Sequence, residues 1–287
     1  MAARRLSLAR LRSAPQVAAI GLALLVVLIA VLLSALLTPG SGGGGSPPAD
    51  DGKALSAANP APGTTESPAP STTPSPGGRI SPAPPAVPDT IQHLPESTGK
   101  YVAITIDDGP DAVWTPKILQ VLRRHHAHAT FCMIGPQARA NPALVKEVVA
   151  QGHRLCDHTV HHDTAMDKKS VAYQTAEILG AQDMIRRAAG GARVYYYRAP
   201  GGAFTPASRA LAARHGMRPL GWNIDTKDFD RPGVAVILHT LKDEIHNGPT
   251  ILFHDGGGNR GQTVKALDQA LTWLRQQGYG FSFPKVD

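Results

Sequence analysis

Residues 101–110 read Tyr-Val-Ala-Ile-Thr-Ile-Asp-Asp-Gly-Pro, a nearly continuous apolar run that ends in two carboxylates and a turn. A strand apolar on both faces belongs to a sheet that is covered on its outer side, the usual state of parallel sheets in α/β proteins. Comparable runs recur at 129–134, 153–158, 194–198, 218–224, 250–254 and 278–283. Helical patterns lie between them at 115–126, 142–151, 171–189, 208–215, 234–246 and 263–277. In the last of these, Val264, Leu267, Leu271 and Leu274 share one face. Pro116 and Pro142 sit where first-turn prolines belong. Strand–helix alternation over seven strands implies parallel pairing. An irregular α/β barrel and an open doubly wound sheet both satisfy it, and both put the active site at the C-terminal strand ends.

The polar residues gather at those ends. Asp107 and Asp108 close the first strand, suggesting one acid for a metal and one for proton transfer, although Asp-Asp-Gly-Pro is also good turn chemistry. The third strand ends in Asp157-His158-Thr159-Val160-His161-His162. Two imidazoles four residues apart can face one point, and with a carboxylate they form a two-histidine, one-carboxylate site for Zn²⁺, iron or cobalt. A solvated histidine-rich loop is the plainer alternative, and it suits His125, His126 and His128 better. Arg198-Ala199-Pro200-Gly201-Gly202 offers a cation followed by free backbone N–H groups. Asp225-Thr226-Lys227-Asp228-Phe229 offers two acids three apart, and Ile251-Leu252-Phe253-His254 ends a strand in histidine. Singly, each of these three reads as structural; five such sets on five strand ends do not read as packing.

In order and content the five sets resemble the motifs of the NodB-homology polysaccharide deacetylases, of carbohydrate esterase family four type, over residues 100 to about 283. Thr105–Pro110 matches T-F-D-D-G-P and His158–His162 matches H-[S/T]-x-x-H. Arg198–Pro200 matches R-x-P, Asp225–Phe229 matches D-x-x-D-W, and Ile251–His254 matches L-x-x-H. The resemblance implies a distorted (β/α) barrel of about seven parallel strands. It also implies Asp107 as general base, Asp108, His158 and His162 as ligands of a divalent metal, and His254 as general acid. Zinc is the first expectation for that metal, with cobalt, nickel or iron also compatible. Arg198 would orient Asp107, and Asp225 would orient His254. The Gly201 N–H would face the oxyanion, with Pro200, Phe229 and Ile251 along the substrate groove. Ile106, Phe229 and Ile251 are mild apolar departures from the family pattern, and Gly201 stands where the family often has an aromatic residue. His161 is a rival ligand by spacing; the family register favours His162.

The implied reaction is removal of acetyl groups from a polysaccharide, with N-acetyl sugars of peptidoglycan as the leading substrate. Chitin oligomers and acetylated xylan are the alternatives within the enzyme class. A non-catalytic glycan-binding protein is the alternative outside it, and its mark, a lost ligand, base or acid, is missing here.

Outward from this domain, taken as 99–287, the composition changes twice. Residues 38–98 hold more than half of the 25 prolines and the run Gly42–Gly45, and read as a disordered linker. Residues 17–37 carry no charge and are long enough for a membrane span, which needs about 20 residues. Residues 1–16 hold Arg4, Arg5, Arg10 and Arg12 and no acid, which reads as a cytoplasmic tail. The expectation is a single-pass membrane anchor with the catalytic domain outside the cell, or a secreted domain if that segment is cleaved. The formal charge divides as +4 for the tail, −3 for the linker and +6 for the domain. The domain's basic residues are scattered without interleaved aromatics, so nucleic acid is not expected as a partner, and nothing implies a protein partner. Cys132 and Cys156 each lie in an apolar run. They are two buried thiols or, in an exported chain, one bridge between neighbouring strands.

Overall fold

The computed structural model describes residues 85–287. Eight strands run Tyr101–Asp107 (β1), Ala129–Met133 (β2), Arg154–Asp157 (β3), Val194–Tyr197 (β4), Arg218–Pro219 (β5), Ile224–Asp225 (β6), Thr250–His254 (β7) and Gly280–Phe281 (β8). Seven helices alternate with them: Trp114–Arg124 (α1), Gly135–Ala140 (α2), Pro142–Ala150 (α3), Val171–Ala188 (α4), Pro206–Arg214 (α5), Val234–Glu244 (α6) and Gly261–Gln276 (α7). All ladders are parallel, in the order β5-β4-β3-β2-β1-β7-β6, with β8 added to β1. The architecture is therefore a curled, incompletely closed α/β half-barrel.

Strand alternation sorts the residues into two layers. One face of the sheet, with Ile104, Ile106, Phe131, Leu155, Ile251 and Phe253, packs against helix residues such as Ile118, Leu122, Ile178, Leu267 and Leu271 to form the main core. A smaller apolar cluster of Cys132, Cys156, Tyr196 and Leu220 forms separately. There Cys132 and Cys156 are register partners on β2 and β3 and are joined by a disulfide. Of the two readings open for these cysteines, the bridge is the one found.

The stretch 218–224 is not one strand. It splits into β5 and β6, which lie on opposite edges of the sheet, and residues 220–223 span the seam between them. Backbone groups there find partners outside the ladder. The Gln92 N–H donates to the Pro219 carbonyl (2.8 Å), the Gly221 N–H donates to the Gln92 carbonyl (2.9 Å), and the fully buried Arg198 donates to the carbonyls of Leu220 (3.2 Å) and Gly221 (2.9 Å). Residues 85–98, expected as the end of a disordered linker, are part of this domain: Gln92 bridges Leu220 and Pro95 bridges Pro284. The basic tail, the 17–37 span and the rest of the linker lie outside the described residues. Among the described residues no helix is long and apolar enough to cross a membrane.

Helix starts follow local chemistry. Ser170 caps α4 by accepting the Tyr173 N–H, and Thr205 forms a capping box with Ser208 ahead of Pro206 in α5. Asp111 accepts the N–H groups of Val113 and Trp114 at the start of α1. These caps fix where each helix departs from the loop that follows the preceding strand, and those loops carry the site.

Candidate active site and metal centre

Asp107, Asp108, His158, His162, Gly201, Asp225, Phe229 and His254 line one cavity of about 470 Å³ at the C-terminal strand ends, together with Thr164, Ala199, Trp222, Lys227 and Leu252. Two expected groove residues are not on its wall. Ile251 is fully buried in the main core, because His254 faces the cavity and alternation then sends residue 252 to the same side and 251 to the other. Leu252 takes the place expected for Ile251. Pro200 is buried at the start of a short 3-10 turn, and its neighbours Ala199 and Gly201 form the wall instead.

The three expected ligands converge. One ligand atom from each of Asp108, His158 and His162 lies within 4.8 Å of the others. Asp108 Oδ1 is 3.5 Å from His158 Nε2 and 3.2 Å from His162 Nε2, and it is buried without a hydrogen-bond partner. Those separations match the edge of about 3.3 Å between ligand atoms in a tetrahedron with arms of roughly 2.0–2.1 Å, as for zinc. His158 Nδ1 donates to the Arg198 carbonyl at 2.8 Å, which leaves its Nε2 lone pair for the cluster. Burial lowers the His158 pKa to about 3, so the imidazole stays neutral, as a ligand must be. An orphaned buried carboxylate oxygen beside two imidazole nitrogens fits a divalent cation. Asp108, Thr159 and His162 all have positive φ (77°, 69° and 52°), so the ligand loops hold strained backbone. His161 turns away: its Nδ1 is 2.6 Å from Glu177 Oε1 and its side chain is 71% exposed.

Arg198 Nη1 donates to Asp107 Oδ1 at 2.7 Å and to Thr105 Oγ1 at 2.9 Å, in a wholly buried pair. Burial raises the Asp107 pKa, while Arg198, His254 and His162 pull it back, leaving it above the ordinary carboxylate value. A raised value makes the Asp107 carboxylate a stronger proton acceptor than an ordinary aspartate.

His254 has a different partner from the one expected. Its Nδ1 lies 2.7 Å from Asp228 Oδ1, and Asp228 Oδ2 accepts the His254 N–H (3.0 Å) and the Thr263 hydroxyl (2.7 Å). Asp225 instead pairs with Lys227, 2.6 Å from its Nζ, and stays on the cavity rim. The reason is geometric. Lys227 adopts a left-handed conformation (φ 54°), which turns the chain so that Asp228 is fully buried under β7 while Asp225 remains at the strand end. Burial depresses the His254 pKa, but the hydrogen bond and charge of Asp228, with Asp107 and Asp108 nearby, outweigh it and raise the value overall. Phe229 meets the His254 ring edge-on at 5.3 Å.

Gly201 has φ 59°, and a side chain there would begin 3.3 Å from Thr164 Cβ, so Thr164 occupies the space that an aromatic residue would claim. Thr164, Trp222, Thr263 and Arg260 carried no sequence signal of their own. Arg260, almost fully buried, donates to the carbonyls of Gly256, Gly257 and Phe229 and so ties the loop after β7 to the Asp228 turn.

The "Polysaccharide deacetylase" family model matches residues 95–220. The chain is 36% identical to a peptidoglycan-N-acetylglucosamine deacetylase of Bacillus cereus, over 63% of this chain and 85% of that protein. It is 35% identical to a chitooligosaccharide deacetylase of Sinorhizobium fredii, over 67% of this chain and 94% of that protein. A solved peptidoglycan N-acetylglucosamine deacetylase, in complex with 4-naphthalen-1-yl-N-oxidanyl-benzamide, superposes with a TM-score of 0.62 at 29% identity, covering 67% of this chain and 89% of that one.

Proposed function

The chain belongs to the polysaccharide deacetylase family, and on that premise we propose that it is a metal-dependent hydrolase removing N-acetyl groups from cell-wall polysaccharide, with peptidoglycan N-acetyl sugars as the substrate. The observation that carries this reading is the meeting of a buried Asp–Arg pair, a three-ligand cluster and an Asp–His pair around one cavity. Asp108, His158 and His162 would hold the ion, zinc by donor set. Such an ion supplies Lewis-acid activation of the acetyl carbonyl and of the attacking water.

The chain's own groups account for the rest. Asp107, oriented by Arg198, takes the proton of the attacking water. The Gly201 N–H faces the oxygen on which negative charge develops. His254 Nε2, with Nδ1 held by Asp228, delivers a proton to the departing amine. A raised His254 pKa keeps that proton available near neutrality. The chitooligosaccharide deacetylase relative supports a second reading, in which short N-acetylated oligomers are the substrate. From the apolar 17–37 segment and its preceding arginines we also propose that the domain acts outside the cell on a membrane anchor.

Acetate release from wall glycan, chitin oligomers and acetyl-xylan tests the proposal. Wall glycan is expected to be deacetylated best, with acetate release abolished by chelator and by Asp107→Asn. Full activity in Asp107→Asn would sink the assignment of the base. Preference for chitin oligomers would replace the substrate.

A further inference from the structure

The loop that carries His162 is held from behind by a residue outside the five motifs. Thr159 and His162 both lie in the left-handed region, and for the β-branched Thr159 this is a true outlier. Such residues persist only where the surroundings over-determine them. Two local bonds contribute: Asp157 Oδ1 accepts the Thr159 N–H (2.8 Å) and Thr159 Oγ1 accepts the His162 N–H (3.1 Å). The remaining grip comes from α4. Glu177 Oε2 accepts the N–H groups of both Val160 (3.1 Å) and His161 (2.8 Å), while Oε1 meets His161 Nδ1. The Glu177 side chain is 5% exposed. One turn on, Gly180 leaves room for Val160, whose Cγ2 would lie 3.2 Å from a Cβ at that position.

We propose that Glu177 is a positioning residue for the metal centre: by gripping the backbone of residues 160–161 it sets the loop conformation that aims His162 at Asp108. This rests on the reading of Asp108, His158 and His162 as ligands. Its action runs through the two amide bonds. The His161 ring lies mostly in solvent and contributes little. A glutamine at 177 can reproduce the arrangement, with its carbonyl oxygen accepting both amides and its NH2 donating to His161 Nδ1. Alanine removes all three bonds, and aspartate is one methylene too short to make them.

The test is Zn²⁺ affinity of the full chain, measured by competition with a chromophoric chelator alongside thermal melting. Partners that orient ligands typically contribute about 10–100-fold in affinity. Glu177→Ala is expected to weaken binding within that range, Glu177→Asp to weaken it several-fold, and Glu177→Gln and His161→Ala to stay near wild type. Acetate release by Glu177→Ala should recover as Zn²⁺ is raised, which a general loss of packing would not allow. If Glu177→Ala does not fold, Glu177→Asp carries the comparison. Wild-type affinity in a folded Ala or Asp variant would overturn the proposal, as would equal losses for Gln and Ala. His162→Ala serves as the separate control: unchanged Zn²⁺ binding there would mean that the ligand assignment has failed, not the role of Glu177.

Discussion

Asp228→Asn tests the proposed role of His254 as the acid of the reaction, apart from the rest of the site. Asp228 receives a backbone N–H and a threonine hydroxyl on Oδ2, and the His254 imidazole on Oδ1. Asparagine has one oxygen. The backbone N–H of His254 cannot turn, so that oxygen takes the Oδ2 position and the NH2 takes the Oδ1 position. There it can donate to Thr226 Oγ1, which lies 3.2 Å from Oδ1 in the native chain. The NH2 also confronts His254 Nδ1, which must then be an unprotonated acceptor. With the carboxylate charge gone, burial dominates and His254 loses its proton at lower pH. Removing a general acid costs about 10²–10⁴-fold in rate, roughly 3–5 kcal/mol of transition-state stabilisation. The expected result is a kcat for N-acetyl substrates reduced within that range, little change in KM, and an alkaline limb shifted to lower pH. An aryl acetate, whose leaving group departs without a proton, should be largely spared. Acetate release across pH, with Asp225→Asn as the comparison, checks this. Unchanged kcat and pH profile in Asp228→Asn, or a larger loss in Asp225→Asn, would refute the assignment.

Three further outcomes follow from the same coordinates. The Cys132–Cys156 bridge has a sequence separation of 24. Closing a loop of that length stabilises by about 3 kcal/mol in the chain-entropy account, so Cys132→Ala/Cys156→Ala should lower Tm by on the order of 10 °C, read by calorimetry. Burial raises the Asp255 pKa to about 7 from an ordinary 3.8, so the folded state holds this proton more tightly than the unfolded chain. The Asp255 contribution to stability is therefore full below about pH 4 and lost as pH rises to about 7; in a Tm-against-pH series on chelator-stripped protein, the wild-type minus Asp255→Asn difference should decline over that window. Gly201→Ala forces a side chain into φ 59° beside Thr164 and should cost about 1 kcal/mol, seen as a lower urea midpoint with unchanged Zn²⁺ binding.

Residue order alone marks the strand ends and the three side chains, Asp108, His158 and His162, that converge there, because apolar runs that stop at carboxylates and imidazoles mark both the sheet and its polar end. It misled where a side chain or a remote segment replaces the ladder. Residues 218–224 look like one strand, yet Arg198 and Gln92 satisfy their carbonyls and amides across the seam. Residues 85–98 look like linker because they continue the proline-rich stretch before them, but two isolated bridges bind them to the domain. The helix Gly135–Ala140 leaves no periodic signal because at six residues it is too short to show one. The two acids at 225 and 228 were equivalent on paper; the left-handed Lys227 between them decides which one goes under His254. Glu177 acts on backbone groups 16 and 17 residues away and Arg260 reaches the Phe229 carbonyl 31 residues away, and no spacing rule reports that.

Arg198 has two attachments on opposite sides of its guanidinium: the carboxylate of Asp107 and the carbonyls of the β5–β6 seam. Barrel closure and the basicity of the proton acceptor are thereby one inherited trait. A substitution at Arg198 that retunes the base also unfastens the sheet edge, so losses in rate and in stability should arrive together. Thr105 touches the same guanidinium without touching the seam, since its hydroxyl donates instead to the Ile251 carbonyl. For directed evolution of this scaffold, position 105 offers a way to retune Asp107 without unfastening the seam, although the hydroxyl's own bond to β7 is lost with it.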